Sequence, residues 1–467
     1  MLNPLSRRDF LQNGGLGFGA LALNEMLSRS AGGAERGDRL SARPAHLAAT
    51  AQHVIFLFMQ GGPSQLETFD PKPMVAKFDG KLLPKDLQDF DLAQINTADA
   101  KVMAPQFSFG KYGESGQEIA EIFPELTRHA DKLAIIRSMH HDLFIHGSAM
   151  IMMHSGTQLL GHPSIGAWVV YGLGSASRNL PAYIAMTDGI FRNGASMYTS
   201  GFLPAVYQGT DVRSEGPPIQ NLKRPADVNP REQRLLLDQI NAWNRRHMAT
   251  RPGDSRLEAR IANYELAFRM QSAAPELIDL SQETQATRAL YGIDSGPSDR
   301  FGKMCLMSRR MVERGVRYVQ LICGGWDAHG DCKGNHTTQA AKTDRPIAGL
   351  ISDLEQRGLL DSTLIVWVGE FGRTPIRQGT NGRDHHPYGF SAWMAGGGIQ
   401  GGKTIGATDD FGFAAVEDKV HVNDLHATML GLLGVDHEEL TYPFAGRDQR
   451  LTDVGGDNNL TDRLRRS

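Results

Sequence analysis

Disulfides cannot hold this chain together. Its only cysteines are Cys305, Cys323 and Cys332, three in 467 residues, an odd and low count that excludes a disulfide framework. No Cys-x-x-Cys-His is present, which excludes covalent c-type haem. Long apolar runs are missing too. None reaches the roughly 20 residues that cross a bilayer, so a polytopic membrane protein is excluded. Basic charge is not in surplus: 49 Lys and Arg stand against 52 Asp and Glu, for a net charge of −3. Without a basic stripe to meet phosphates, no nucleic-acid partner is expected. The 52 glycines show no three-residue period, which excludes collagen. What remains, 40% hydrophobic and 22% charged, is an ordinary packed globular composition.

The N-terminus carries a targeting pattern. Ser6-Arg7-Arg8-Asp9-Phe10-Leu11 is a twin-arginine signature, and residues 14–27 after it are only mildly apolar and interrupted by glycine. That suits an address read by an export receptor, not a permanent membrane anchor. Residues 1–45 are expected to be signal and linker, with residues 30–34 as a candidate cleavage region. Location is expected to be periplasmic or secreted.

In the rest, residues 46–467, short continuous apolar runs alternate with amphipathic stretches. The runs at 53–59, 133–137, 182–186, 318–323, 364–368 and 390–395 predict buried strands. Stretches 163–172, 298–314, 344–357 and 423–433 predict helices. The alternation predicts an α/β fold, a mostly parallel sheet covered on both faces. Residues 229–293, rich in Arg, Glu, Gln, Leu and Ala, predict a helical insertion with breaks near Pro252-Gly253 and Ala274-Pro275. Residues 64–120 predict long loops. Ala395-Gly396-Gly397-Gly398 lacks the Lys-Ser/Thr of a phosphate loop and predicts a strand-to-turn junction.

In open α/β sheets, chemistry sits beyond the carboxyl ends of the strands. Four polar clusters follow apolar runs: Gln60 to Ser64 with Glu67 and Asp70; His140, His141, Asp142, His146, Ser148 and His154; Asp327, His329 and Asp331 with His336; and Glu370, Arg373, Asp384, His385 and His386. Imidazole with carboxylate is the ligand set of Zn, Mn or Fe, and carboxylate with water suits Ca or Mg. Adjacent His385 and His386 point in different directions, so one of them at most is a ligand. For Glu370, an ion pair with Arg373 or Arg377 competes with a metal role.

Several motifs stand in order: the twin-arginine start, Phe58-Met-Gln-Gly-Gly-Pro-Ser64, Gly325-Trp-Asp-Ala-His-Gly330, Gly369-Glu-Phe-Gly-Arg-Thr-Pro375, Gly382-Arg-Asp-His-His-Pro387 and Ala395-Gly-Gly-Gly-Ile-Gln-Gly-Gly402. Together they resemble the exported bacterial family known as domain of unknown function 1501, which is similar in turn to the alkaline phosphatase and sulfatase superfamily. The resemblance implies a three-layer α/β/α sandwich with a metal-centred site. It puts Gln60 where the superfamily has a metal-binding Asp. It puts His146, ten residues before Gly156, where a Ser, Thr or modified Cys nucleophile stands. Ser148 is a displaced alternative. Glu370-Phe371-Gly372 stands in place of Asp-His-Gly.

The implied metal set is Gln60, Asp327, His329, Glu370, Asp384 and His385, holding Zn, Ca, Mg or Mn, with no organic cofactor. His146 and Arg373 are the catalytic candidates, with Arg373 or Arg383 as an anion clamp. The expected function is metal-dependent hydrolysis of phosphate or sulfate esters, with sulfated or phosphorylated glycans as substrates and the twin-arginine machinery as partner. The alternative is a catalytically degenerate binding or scaffold protein on the same fold.

Overall fold

The apolar run beginning at His53 is strand β1 (His53–Gln60), near the middle of a nine-stranded sheet. The computed structural model describes residues 39–87, 99–213, 227–251 and 254–466, together with 219, 222 and 224. Arg7, Arg8 and the expected signal core lie outside those residues. The other strands of the sheet are β2 (Ala134–His140), β3 (Tyr183–Thr187), β4 (Thr210–Asp211), β5 (Tyr318–Gly324) and β6 (Thr363–Val368). After a two-stranded ribbon, β7 (Gly372–Gln378) with β8 (Gly382–His386), come β9 (Phe390–Gly396), β10 (Lys403–Ile405) and β11 (Val420–His421). The order is β10-β2-β9-β6-β1-β5-β3-β4, with β11 also pairing β2.

The pairing is mostly parallel, as expected. Val54 lies opposite Tyr318 and His53 opposite Thr363, both in parallel ladders. The exception is β9, which runs antiparallel between β6 and β2. Each strand predicted from its apolar run is present.

The longer helices are α1 (His146–Ser155), α2 (Ile165–Leu173), α3 (Pro230–Ala249), α4 (Ser255–Ile278), α5 (Gln285–Leu290), α6 (Asp299–Glu313), α7 (Cys332–Gln356) and α8 (Val422–Leu432). They form the outer layers. Along β1, successive side chains leave opposite faces. Ile55, Leu57 and Met59 enter one core with Met304 of α6 and Ile347 and Leu350 of α7. Phe56 and Phe58 leave the other face and meet the edge of His154 in α1 at 5.9 and 4.5 Å between ring centroids. Both are fully buried, and truncating either to Ala costs about 3–5 kcal/mol on the usual scale for a core aromatic.

Several details depart from the sequence expectation, among them the helix Pro73–Lys77 and the antiparallel ribbon of Phe109–Tyr112 with Gln117–Ala120 inside residues expected to be loop. Helix α7 starts at Cys332 and not near 344, because Asp331 caps it by accepting from Gly334 N. Helix α4 continues through Pro275, whose missing N–H falls in its last turns; the other break is found, since α3 ends at Ala249 and α4 begins at Ser255. Residues 372–386, where no apolar run predicts a strand, form the antiparallel β7–β8 ribbon. Arg43, inside the expected linker, is tied down: its N donates to Leu173 O at 2.9 Å and its guanidinium to Tyr171 O and Tyr207. Among the described residues no helix is long and apolar enough to cross a membrane.

Candidate metal centre

The carboxyl edge of the sheet gathers the polar clusters. Asp327 and His329 follow β5, Glu370 follows β6, and His146 opens α1 just beyond β2. His385 lies in β8, and because β9 runs antiparallel the chain enters β9 from that same edge. Glycine permits the close approach. Gly61 follows β1 with φ +120°, and a Cβ there would lie 2.5 Å from Asp327 N.

Asp327 is the hub. Its Oδ1 lies 2.9 Å from His329 Nε2, 3.4 Å from His385 Nε2 and 2.7 Å from Arg373 Nη2. Its Oδ2 lies 3.1 Å from His146 Nε2 and 3.8 Å from Arg192 Nη1. One donor atom from each of His146, Asp327, His329 and His385 falls within 4.8 Å of every other. Burial opposes a charge on Asp327, but His146, His385 and Arg373 outweigh it and hold the carboxyl well below its usual range. Burial likewise opposes a charge on His146, and the Asp327 and Glu370 carboxylates overcome it and raise its pKa. At His385 burial prevails and lowers the pKa, with Arg373 and His146 adding to the effect.

The backs of the three imidazoles set their tautomers. His385 Nδ1 faces Phe144 O at 2.8 Å, His146 Nδ1 faces Glu370 Oε1 at 2.6 Å, and His329 Nδ1 faces Gln378 Oε1. All three partners accept, so each Nδ1 donates outward, and the three Nε2 atoms converge on Asp327. His329 Nε2 and His385 Nε2 stand 2.9 Å apart, and His146 Nε2 is buried without a hydrogen bond, although Asp327 Oδ2 is near. Imidazoles neutral at Nε2 would present three lone pairs to a divalent cation beside that carboxylate. Three imidazole nitrogens and one carboxylate suit Zn or another first-row metal better than oxygen-preferring Ca or Mg.

Four of the sequence candidates thus come together: His146, Asp327, His329 and His385. The others take different places. Glu370, fully buried, does not join the ring; it accepts from His146 and from Gly61 N at 2.9 and 3.0 Å. A carboxylate behind a ligating histidine orients the ring and raises its basicity. Asp384 Oδ1 accepts from its neighbour His385 N at 2.8 Å and lies 3.7 Å from His329 Nδ1, the nitrogen turned away from the centre. Gln60 O accepts from Trp326 N at 3.2 Å, so Gln60 holds the Asp327 loop through its backbone. Its side-chain Oε1 is buried without a partner, and no contact brings it to Asp327.

The two arginines expected to clamp an anion are inside the protein. Arg373 donates to Gly61 O, Gly62 O, Arg383 O and Asp327. Arg383 donates to Glu67 and to three carbonyls, those of Thr374, Met103 and Ala104. Both are 0% exposed, so they order loops and do not meet a ligand. His146, expected as nucleophile, instead lies among the candidate ligand atoms, with Nδ1 held by Glu370 and Nε2 turned to Asp327. His141, His154 and His336 are buried histidines whose pKa values burial pushes down to about 4, 4 and 3. Ser148 Oγ donates back to Ile145 O at 3.1 Å.

Arg192 was missed. Its side chain is 41% exposed beside Asp327, and the loop that bears it follows β3, another strand end at the same edge. The neighbouring Asn193 holds that loop to α1 by donating to Gly147 O at 2.7 Å.

Fold and centre together define an α/β protein with a histidine–aspartate cluster of metal-binding type at the carboxyl edge of a mostly parallel sheet. The chain belongs to the family described as "Protein of unknown function (DUF1501)", whose profile matches residues 51–464. No curated protein matches it. Solved structures to which it is similar include the lipoteichoic acid synthase LtaP from Listeria monocytogenes, at 11% identity and TM-score 0.40, covering 90% of this chain and 79% of that one. PsFucS1 sulfatase from Pseudoalteromonas sp. has 11% identity and TM-score 0.33, covering 89% and 74%. Alkaline phosphatase from the Antarctic bacterium TAB5 has 9% identity and TM-score 0.34, covering 83% and 99%.

Proposed function

We propose that this chain is a hydrolase of phosphate or sulfate esters that depends on one metal ion, Zn or Mn, held by His146, Asp327, His329 and His385. The observation that carries this reading is the convergence of three Nε2 atoms on one carboxylate, each imidazole tied outward through Nδ1. A metal bound there polarises an ester oxygen and acidifies water. The chain's own groups do the rest. Arg373 and Gly61 fix Asp327 and Glu370, and Glu370 holds His146 in its productive tautomer. Arg192 offers an exposed guanidinium to an anionic ester at the mouth. In this reading water is the nucleophile.

Metal analysis of protein purified without chelator tests it. The expected result is close to one equivalent of metal per chain, with turnover of aryl phosphate or sulfate that is lost in Asp327→Ala. Less than about a tenth of an equivalent sinks the metal reading. A full equivalent without turnover on any such ester leaves the binding-protein alternative, which the unpaired Gln60 at the end of β1 favours. In that case sulfated or phosphorylated glycans would raise the melting temperature without being cleaved.

The same proposal places the protein outside the cytoplasm. Its support is Ser6-Arg7-Arg8-Asp9-Phe10-Leu11. Changing Arg7 and Arg8 together to Lys is expected to strand the protein in the cytoplasm. Equal export of parent and variant would remove the twin-arginine assignment.

A further inference from the structure

Helix α3 packs one face on α4, and among the described residues the opposite face is exposed. Leu237 and Asn241 are its buried positions, and Arg234 reaches across to Glu265 at 2.8 Å and over the Phe268 ring. At about 100° per residue, the opposite face carries Glu232, Leu236, Gln239, Trp243 and Arg246, flanked by Leu235, Ile240 and His247. Leu235, Leu236 and Trp243 are 62%, 55% and 58% exposed. Large apolar side chains clustered on one exposed face mark an interaction surface. The other tryptophans, Trp168, Trp326, Trp367 and Trp393, are all buried.

The two halves of this face are complementary about a centre at Gln239 and Ile240: Glu232 and Leu236 precede it, and Trp243, Arg246 and His247 follow it. We infer that α3 is a two-fold interface between copies of this chain. Antiparallel packing about that centre sets Leu236 of one copy against Trp243 of its partner, and does so twice. It also sets Glu232 against Arg246 and His247, twice. The acid lies in the first turn and the bases in the last, so antiparallel helix dipoles and side-chain charges agree. Parallel packing would oppose like charges and leave Leu236 and Trp243 out of register. A 20-residue helix spans about 30 Å, so its area sits at the low end for a stable interface, and the association depends on concentration. This inference does not rest on the metal centre.

Sedimentation of the full chain over about a hundred-fold range of concentration tests it. The parent is expected to pass from monomer to dimer. Trp243→Glu should weaken association at least about tenfold. Glu232→Arg and Arg246→Glu should each weaken it, and the double variant should recover most of the loss. Trp243 is the exposed tryptophan, so acrylamide quenching of the parent should fall as the dimer forms, which decides the matter even where a variant folds poorly. A parent that stays monomeric, a dimer indifferent to Trp243→Glu, or a monomer that instead binds anionic vesicles through Trp243 overturns the proposal.

Discussion

His146 donates its Nδ1 hydrogen to Glu370 Oε1 across 2.6 Å, so Glu370 stands behind the histidine and outside the ring of ligand atoms. The distinction has a measurable consequence. Glu370→Gln keeps an oxygen that accepts from His146 but removes the charge that makes the ring a better donor. Metal affinity should fall about 10–100-fold. Asp327→Ala removes a ligand and should abolish stoichiometric binding. Competition with a chromophoric chelator measures both, and equal losses in the two variants would put Glu370 back among the ligands.

Arg192 offers a different separation. It lies 3.8 Å from Asp327 Oδ2 with much of its side chain in solvent, whereas Arg373 is sealed among carbonyls. Arg192→Ala should leave metal content unchanged and raise KM for an anionic ester. A lost charge-assisted hydrogen bond of about 1.5–3 kcal/mol corresponds to roughly 10–150-fold in kcat/KM. Arg192→Lys should recover part of it, because one ammonium replaces a fork. Loss of metal in Arg192→Ala would mean that the residue organises the loop and does not meet substrate.

The fold was legible because β1, β5 and β6 are buried on both faces and therefore show as mainly apolar runs, interrupted inside β5 by Gln320. The centre was legible to the level of clusters at strand ends. Which side chain faces inward was not. Glu370 and Asp384 look like ligands by composition, and only the three-dimensional position of Gly61 N and of His329 Nδ1 shows them on the outer side. Arg192 escaped for the opposite reason: after β3 only Asp188 stands near it in sequence, with no histidine to make a cluster. The antiparallel entry of β9, which puts His385 at the same edge as Asp327, depends on the β7–β8 ribbon, and the Gly-, Arg- and Thr-rich residues of that ribbon carry no strand periodicity.

Gly61 tests the backbone side of the site. Its φ of +120° is rarely open to other residues, and a Cβ would meet Asp327 N at 2.5 Å and Trp326 N at 2.7 Å. Gly61→Ala must therefore push back the Asp327 loop and loosen the amide that Glu370 accepts. A fall in metal affinity beyond that of Glu370→Gln is expected, with the far-UV circular dichroism kept. Gly80, whose added Cβ meets nothing within 4 Å, is the control: Gly80→Ala should leave metal affinity unchanged.

Asp344 gives a pH signature away from the metal. It is 5% exposed on α7, and its carboxylate accepts from Glu125 N and Leu126 N at 2.9 and 2.8 Å. Burial pushes its pKa up to about 6, against the pull of those two amides. The unfolded chain holds Asp near 3.9. Between those two values the native state binds the proton and the unfolded state does not, so this group's contribution to stability rises as pH falls from about 7 towards 4. Asp344→Asn cannot titrate. Urea unfolding of parent and variant at pH 7 and pH 5 isolates the effect, because metal-linked changes occur in both proteins and cancel in the difference. The parent should gain on the order of 1 kcal/mol relative to Asp344→Asn on acidification. A relative loss instead would show that the two amide hydrogen bonds outweigh burial and that the carboxylate is the favoured form throughout.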